Sequence, residues 1–245
     1  MNVRLVPVAL SALCALALAA AGCGSAGDTP AVGDVRTTAA VAPVPASAAR
    51  PRVVVLGDSL TAGLGIPVAN AYPSLLQQRV DAAGLNFEVV NAGVSGDTSA
   101  GGLSRLEWAL QGDVRLLVVA LGANDGLRGL PVGQLRRNLA EIIERARERH
   151  LTVVLAGMEA PPNFGRDYIS AFHQVFPSLA AEYDVALVPF LLEGVAGHAD
   201  LNQNDGMHPT AAGARIVADN VWAVLEPLTK QQQLRGARGE GRPGP

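Results

Sequence analysis

Cysteine is nearly absent. The chain of 245 residues holds two, Cys14 and Cys23, both close to its N-terminus and ahead of any segment that could build a core. No disulfide can therefore staple the folded part, and a catalytic thiol or a cysteine-rich metal site is excluded with it. Charge is also scarce. The 19 basic and 22 acidic residues leave a formal net charge of −3, without the basic footprint that a nucleic-acid partner requires. Internal repeats are missing too, and nothing marks a second domain.

The N-terminus reads as an address. Residues 1–22 carry one charge, Arg4, followed by an apolar run from Leu5 to Ala21. That run is short for a spanning helix and ends in small residues, which is the pattern of an export signal. The end, Leu18-Ala19-Ala20-Ala21-Gly22-Cys23, resembles a bacterial lipoprotein signal, in which the cysteine is lipidated and becomes the new N-terminus. Ala20 stands where leucine is usual, and an ordinary secretory signal cut after Ala21 is the alternative. The expected location is the cell envelope, as a lipoprotein on the periplasmic side or outer surface held to the membrane through its lipid. A soluble periplasmic or secreted protein is the other possibility. Residues 23–50, rich in Ala, Pro, Gly, Thr and Val, read as a flexible tether. Residues 230–245, with four basic residues and one acid among Gln, Gly and Pro, read as a disordered tail. The folded domain is expected at 51–229.

Inside that domain, apolar runs alternate with helical spacing. Val53 to Leu56 is a short buried strand, stopped by Gly57, Asp58 and Ser59. Tyr72 to Gly84 has a helical pattern, Phe87 to Val90 is a second strand, and Ser99 to Leu110 is a helix candidate. Val114 to Leu121 is almost wholly apolar, as a strand covered on both faces should be. The amphipathic helix Pro131 to His150, the strand Leu151 to Met158, the helix Tyr168 to Tyr183, the strand Val185 to Val188 and the helix Pro209 to Leu228 complete the chain. This alternation implies a parallel five-stranded sheet with helices on both faces.

Chemistry gathers at the strand ends. Ser59 follows the first strand, where α/β sheets place their sites. An alcohol is a weak nucleophile at neutral pH, so it needs a base, and His208 in Asn204-Asp205-Gly206-Met207-His208-Pro209 can take its proton. Asp205, three residues earlier, can turn back to hold the other ring nitrogen. Pro209 is expected to set the first turn of the helix that follows. Acyl transfer also needs donors for an oxyanion: Gly96 can present its N–H from a turn, and Asn124 its side-chain amide. Taken singly, each of these residues is more readily a turn residue or a surface histidine. His150, His173 and His198 do fit such structural roles.

Four blocks, Gly57-Asp58-Ser59-Leu60, Gly96, Gly122-Ala123-Asn124-Asp125 and Asp205 to His208, together resemble the SGNH, or GDSL, hydrolase family. Within it the chain is similar to the bacterial multifunctional thioesterase, protease and lysophospholipase group and to its arylesterase relatives. Longer matches carry this: Ser95-Gly96-Asp97-Thr98-Ser99, Asn124 to Gly129 and Asp205 to Pro209, in collinear order over 52–228. Ala123 stands where relatives often have glycine. The resemblance implies a three-layer α/β/α, flavodoxin-like fold, with Ser59, Asp205 and His208 as the triad. It further implies an oxyanion hole of the Ser59 and Gly96 N–H groups with Asn124, and a loop over Asp125 to Leu130 that shifts when an acyl chain binds.

The expected activity is a serine esterase acting on acyl esters, and on thioesters or lysophospholipids, through an acyl-enzyme on Ser59. Leu64, Ile66, Leu127 and Leu130 are candidates to line an acyl groove, with ordinary packing as the plain alternative. Neither metal nor cofactor is expected. The partner is a small acyl-ester or lipid substrate, not nucleic acid, and a monomer is expected. A carbohydrate acetylesterase of the same superfamily and a non-catalytic, lipid-anchored binding protein are the competing readings.

Overall fold

The computed structural model describes residues 50–239; the expected signal, Cys23 and nearly all of the tether lie outside the described residues. Chain order gives β1 (Arg52–Gly57), α1 (Ser59–Ala62), α2 (Tyr72–Ala82), β2 (Glu88–Gly93), α3 (Ser99–Ser104) and α4 (Leu106–Ala109). Then come β3 (Val114–Ala120), α5 (Ala123–Leu127), α6 (Val132–Glu148), β4 (Thr152–Ala156), α7 (Arg166–Tyr183), β5 (Ala186–Val188) and α8 (Ala211–Ala237). All strand pairs are parallel, in the order β2-β1-β3-β4-β5. That is the flavodoxin-like order, and it reverses direction between β1 and β3, where open α/β sheets leave a crevice.

The three layers follow from side-chain pattern. Val53 through Leu56 and Leu116 through Val119 are fully buried, because both faces of these central strands are covered. α2 packs on α8, while α3 and α7 pack on α6. α6 turns Leu135, Leu139, Ile142, Ile143 and Ala146 inward, as its periodicity predicts. With no disulfide available, this aliphatic core and the ring series Phe164, Tyr168, Phe172 and Phe176 hold the domain.

Two glycines let α1 fold over the sheet edge. A Cβ on Gly57 would lie 2.0 Å from Thr61 Oγ1, and one on Gly93 would lie 2.3 Å from the Ala62 nitrogen. α1 is thereby pressed onto the ends of β1 and β2, and Thr61 Oγ1 is fastened to the buried Tyr72 hydroxyl at 2.7 Å.

Several elements differ from expectation. β2 runs on past the expected end at Val90 through Asn91 to Gly93, because these pair with Val55 to Gly57 of β1. The 99–110 helix is broken at Arg105, whose side chain turns inward to Asp97 and to the Gly57 carbonyl. Pro209 does not open the last helix. It forms an isolated bridge with Asn202, and Thr210 caps α8 by accepting from the Gly213 N–H. Nor does a disordered tail begin at 230, since α8 continues to Ala237. Thr229 is buried, Gln232 donates to Thr152 Oγ1 at 2.6 Å, and Gln233 accepts from the Asn86 N–H at 2.8 Å. The glutamines that suggested disorder by composition are the anchors of this last stretch. Residues 240–245 lie outside the described residues.

Candidate active site

Ser59 opens α1 directly after β1, and Asp58 caps that helix by accepting from the Leu60 N–H at 3.0 Å. Capping fixes the turn and brings the Ser59 side chain to the crevice between β1 and β3. His208 arrives from the other side, in the loop before α8. Its Nε2 lies 2.9 Å from Ser59 Oγ, and its Nδ1 lies 2.7 Å from Asp205 Oδ2. Asp205 Oδ1 also accepts from the Met207 and His208 N–H groups at 2.9 and 3.0 Å. Those two backbone donors, with the His208 ring, hold the Asp205 carboxyl down at about 2. Asp205 thus stays an acceptor at any ordinary pH, and the imidazole keeps Nε2 toward the serine.

The loop that carries this pair is tied to the loop that follows Ser59. Gln203 donates through Nε2 to the Leu64 carbonyl at 2.7 Å and to the Pro209 carbonyl at 3.0 Å, and its N–H donates to the His208 carbonyl at 2.7 Å. Gly65 makes room for it, because a Cβ there would lie 2.1 Å from Gln203 Oε1. Nothing in the linear pattern around residue 203 signals this role.

The three candidate oxyanion donors, Ser59, Gly96 and Asn124, converge on the same crevice. Among the described residues, neither the Ser59 N–H nor the Gly96 N–H has an acceptor. Gly96 has φ +85, a conformation that suits glycine, and its carbonyl accepts from Arg128 at 2.8 Å. Asn124, on α5 after β3, donates through Nδ2 to the Asp97 carbonyl at 2.9 Å and to Asp58 Oδ2 at 3.3 Å. Behind them, Arg105 joins Asp97 at 2.6 Å to the Gly57 carbonyl at 2.9 Å, which locks the second block to the first. Asp125, buried, takes the Ser99 N–H at 2.7 Å and its hydroxyl at 2.6 Å, which locks the second block to the third. Burial pushes the Asp58 carboxyl up from 3.8 to about 6, against the pull of the Leu60 N–H, His208 and Asn124.

Ser59, Gly96, Asn124 and His208 open into one cleft of about 610 Å³. Its walls are mostly apolar: Leu64, Leu127, Met158, Pro161, Phe190 and Leu192 among them. Of the four expected groove residues, Leu64 and Leu127 line it. Ile66 instead lines a small adjoining cavity with Tyr72, Leu192 and Val217. Leu130 is outside the cleft wall, since the chain turns back after α5 at Gly129. The Leu130 N–H donates to the Asp125 carbonyl at 3.0 Å, and the Leu130 carbonyl accepts from the Tyr168 hydroxyl at 2.9 Å. The β4 and β5 ends supply walls that sequence reading missed, because short apolar runs there read as plain strand termini.

Residues 55–216 match the model of the GDSL-like Lipase/Acylhydrolase family. The chain is 46% identical to Esterase TesA of Pseudomonas aeruginosa over 182 residues, which is 74% of this chain and 90% of that protein. It is 38% identical to the Thioesterase 1/protease 1/lysophospholipase L1 of Escherichia coli strain K12 over 183 residues, covering 74% and 86% of the two chains. Among solved structures, a crystal structure of TesA superposes with a TM-score of 0.70 at 46% identity, over 72% of this chain and 99% of the other. The esterase EstA from Pseudoalteromonas sp., in a structure inhibited by monoethylphosphonate, gives a TM-score of 0.69 at 31% identity over 73% and 98%. The chain therefore belongs to the GDSL-like lipase/acylhydrolase family and is a serine ester hydrolase of that family.

Proposed function

We propose that the hydrolase works through an acyl-enzyme on Ser59, with His208 as its base and Asp205 as the group that orients His208. The observation that carries this reading is the unbroken 2.9 and 2.7 Å relay from Ser59 through His208 to Asp205, at the mouth of an apolar cleft. Ser59 Oγ attacks the acyl carbonyl as its proton passes to His208 Nε2. The carbonyl oxygen becomes an oxyanion and accepts from the Ser59 and Gly96 N–H groups and from Asn124 Nδ2. For this, one amide hydrogen of Asn124 leaves its present partner, and the 3.3 Å contact to Asp58 is the weaker of the two. The intermediate collapses when His208 returns the proton to the departing alcohol or thiol. Water then repeats the sequence, releasing the acid and restoring Ser59.

An apolar cleft of this size favours acyl chains longer than acetyl. We place acyl esters first among the substrates, with thioesters and lysophospholipids as further members. Rates with para-nitrophenyl esters from acetyl to palmitoyl test this. Turnover that rises from acetyl toward medium chains is the expected result. Activity confined to acetyl, extending to acetylated sugars, would transfer the chain to carbohydrate acetylesterases. A folded protein that hydrolyses none of them would be a binding protein.

Location rests on sequence alone. Among the described residues no helix is long and apolar enough to cross a membrane. We propose export and lipidation at Cys23, with the hydrolase domain monomeric on its tether. Palmitate incorporation that persists in Cys23→Ser would overturn the anchor, and a dimer in sedimentation would overturn the monomer.

A further inference from the structure

Apart from the His208 ring, one titratable side chain lines the cleft among the described residues: Glu159, just past the end of β4. Its neighbours in the wall, Met158, Ala160, Pro161 and Pro162, are apolar. The carboxylate is fastened by Oε1 to His173 Nδ1 of α7 at 2.6 Å, and both side chains are partly exposed. Its second oxygen has no protein partner among the described residues. A carboxylate so placed accepts hydrogen bonds and presents negative charge, in a wall that otherwise discriminates only by shape.

Its position relative to the reaction follows from the sheet order. β4 stands two strands from β1, so the end of β4 is about 10 Å from Ser59 along the sheet edge. A bound carbonyl oxygen is directed to Gly96 and Asn124, and the leaving group must lie at His208 Nε2 to receive its proton. An acyl chain that runs over Ala123 and Leu127, which line the same cleft, heads toward Glu159. A negative group near the far end of a medium-length chain would meet the carboxylate in a partly dry cleft. There, like-charge repulsion is worth on the order of tenfold or more in binding.

We infer that Glu159 sets the charge selectivity of the acyl cleft: it rejects acyl chains with an anionic far end and admits neutral or cationic ones. This rests on the esterase reading above. The repulsion is electrostatic, so it weakens as salt is added, which a purely structural role would not do.

The test uses the full chain and three esters of equal length: para-nitrophenyl octanoate, para-nitrophenyl hydrogen suberate and para-nitrophenyl omega-aminooctanoate. In the wild type, kcat/KM for the suberate half-ester is expected to fall on the order of tenfold below that for octanoate. Glu159→Gln, which is isosteric and can still accept from His173, should shrink that ratio about tenfold and abolish its salt dependence. Glu159→Lys should reverse the order of the suberate and amino esters. A ratio that is the same in wild type and Glu159→Gln at every salt concentration would overturn the inference, whether or not the lysine variant folds. Hydrolysis of the three esters that survives Ser59→Ala would overturn the esterase reading instead.

Discussion

The side-chain amide of Asn124 donates to Asp58 Oδ2 at 3.3 Å while also donating to the Asp97 carbonyl at 2.9 Å, so both of its hydrogens are engaged in the free protein. Asp58 thereby steers the amide proposed to serve the oxyanion. Asp58→Asn replaces an acceptor with a group that can turn its own N–H toward Asn124. The hole donor would then be misaimed. We expect kcat to fall on the order of tenfold to a hundredfold, with KM little changed, in steady-state hydrolysis of a para-nitrophenyl ester.

The same substitution has the opposite effect on stability. Burial raises the Asp58 carboxyl from 3.8 to about 6, so the folded state holds this proton more tightly than the unfolded chain. Wild-type stability from this group is whole below pH about 4 and declines as pH rises through about 6. Near neutral pH the loss is on the order of 3 kcal/mol. Asp58→Asn removes that decline. Its Tm should exceed the wild type's near neutral pH, and the gap should close below pH about 4; thermal melts across pH check both.

Asp205 behaves in the reverse sense. The His208 and Met207 N–H groups and the His208 ring hold its carboxyl at about 2, so its stabilising bonds are present above pH about 4 and lost as pH falls toward 2. Asp205 is ionised through the working range, so it contributes no acid limb to the pH–rate profile. Asp205→Asn should lower kcat by roughly 10²–10⁴, because the imidazole loses the partner that orients it. A fall of less than about threefold, relative to that scale, would argue that His208 is held by other means.

Gln203 ties the loop of His208 to the loop after Ser59 without touching either side chain. Gln203→Ala removes its bonds to the Leu64 and Pro209 carbonyls, at 2.7 and 3.0 Å. The two loops can then separate. Stability should drop by about 1–2 kcal/mol. Phosphonylation of Ser59 should slow about tenfold, since small displacements in a relay are costly. Stopped-flow inhibition and a urea melt measure the two effects separately.

Gly57 is the tightest point of the nucleophile turn. An alanine Cβ there would meet Thr61 Oγ1 at 2.0 Å and the Ala120 carbonyl at 2.9 Å. Gly57→Ala should cost at least the roughly 1–3 kcal/mol typical of overpacking and should displace Ser59 with α1. Pairing it with Thr61→Ala removes the Oγ1 clash but leaves the Cβ of residue 61 at 2.7 Å and the Ala120 carbonyl at 2.9 Å, so the double variant should recover stability only in small part.

Much of the fold was legible because burial leaves a mark on composition. Val53 to Leu56 and Leu116 to Leu121 are apolar throughout, since both faces of a central parallel strand are covered. Ser59, Asp205 and His208 stood out because their chemistry is scarce and falls at strand and helix ends. What escaped were relations between loops far apart in sequence. Gln203 looks like any loop glutamine until Leu64, 139 residues earlier, lies against it. Gln232 and Gln233 were read as tail residues because local composition carries no sign of Thr152 or Asn86. Leu130 is a groove candidate by sequence, whereas the turn at Gly129 brings its carbonyl to the Tyr168 hydroxyl instead.

Ser59 Oγ is the one oxygen proposed to form the covalent bond to the acyl group. The most direct measurement is intact-mass and peptide mapping of the protein after reaction with a fluorophosphonate, alongside para-nitrophenyl ester hydrolysis by the same sample. The expected result is a single adduct on Ser59, loss of hydrolysis in step with labelling, and neither adduct nor turnover in a folded Ser59→Ala. An adduct on another residue, or hydrolysis that persists in Ser59→Ala, would contradict it.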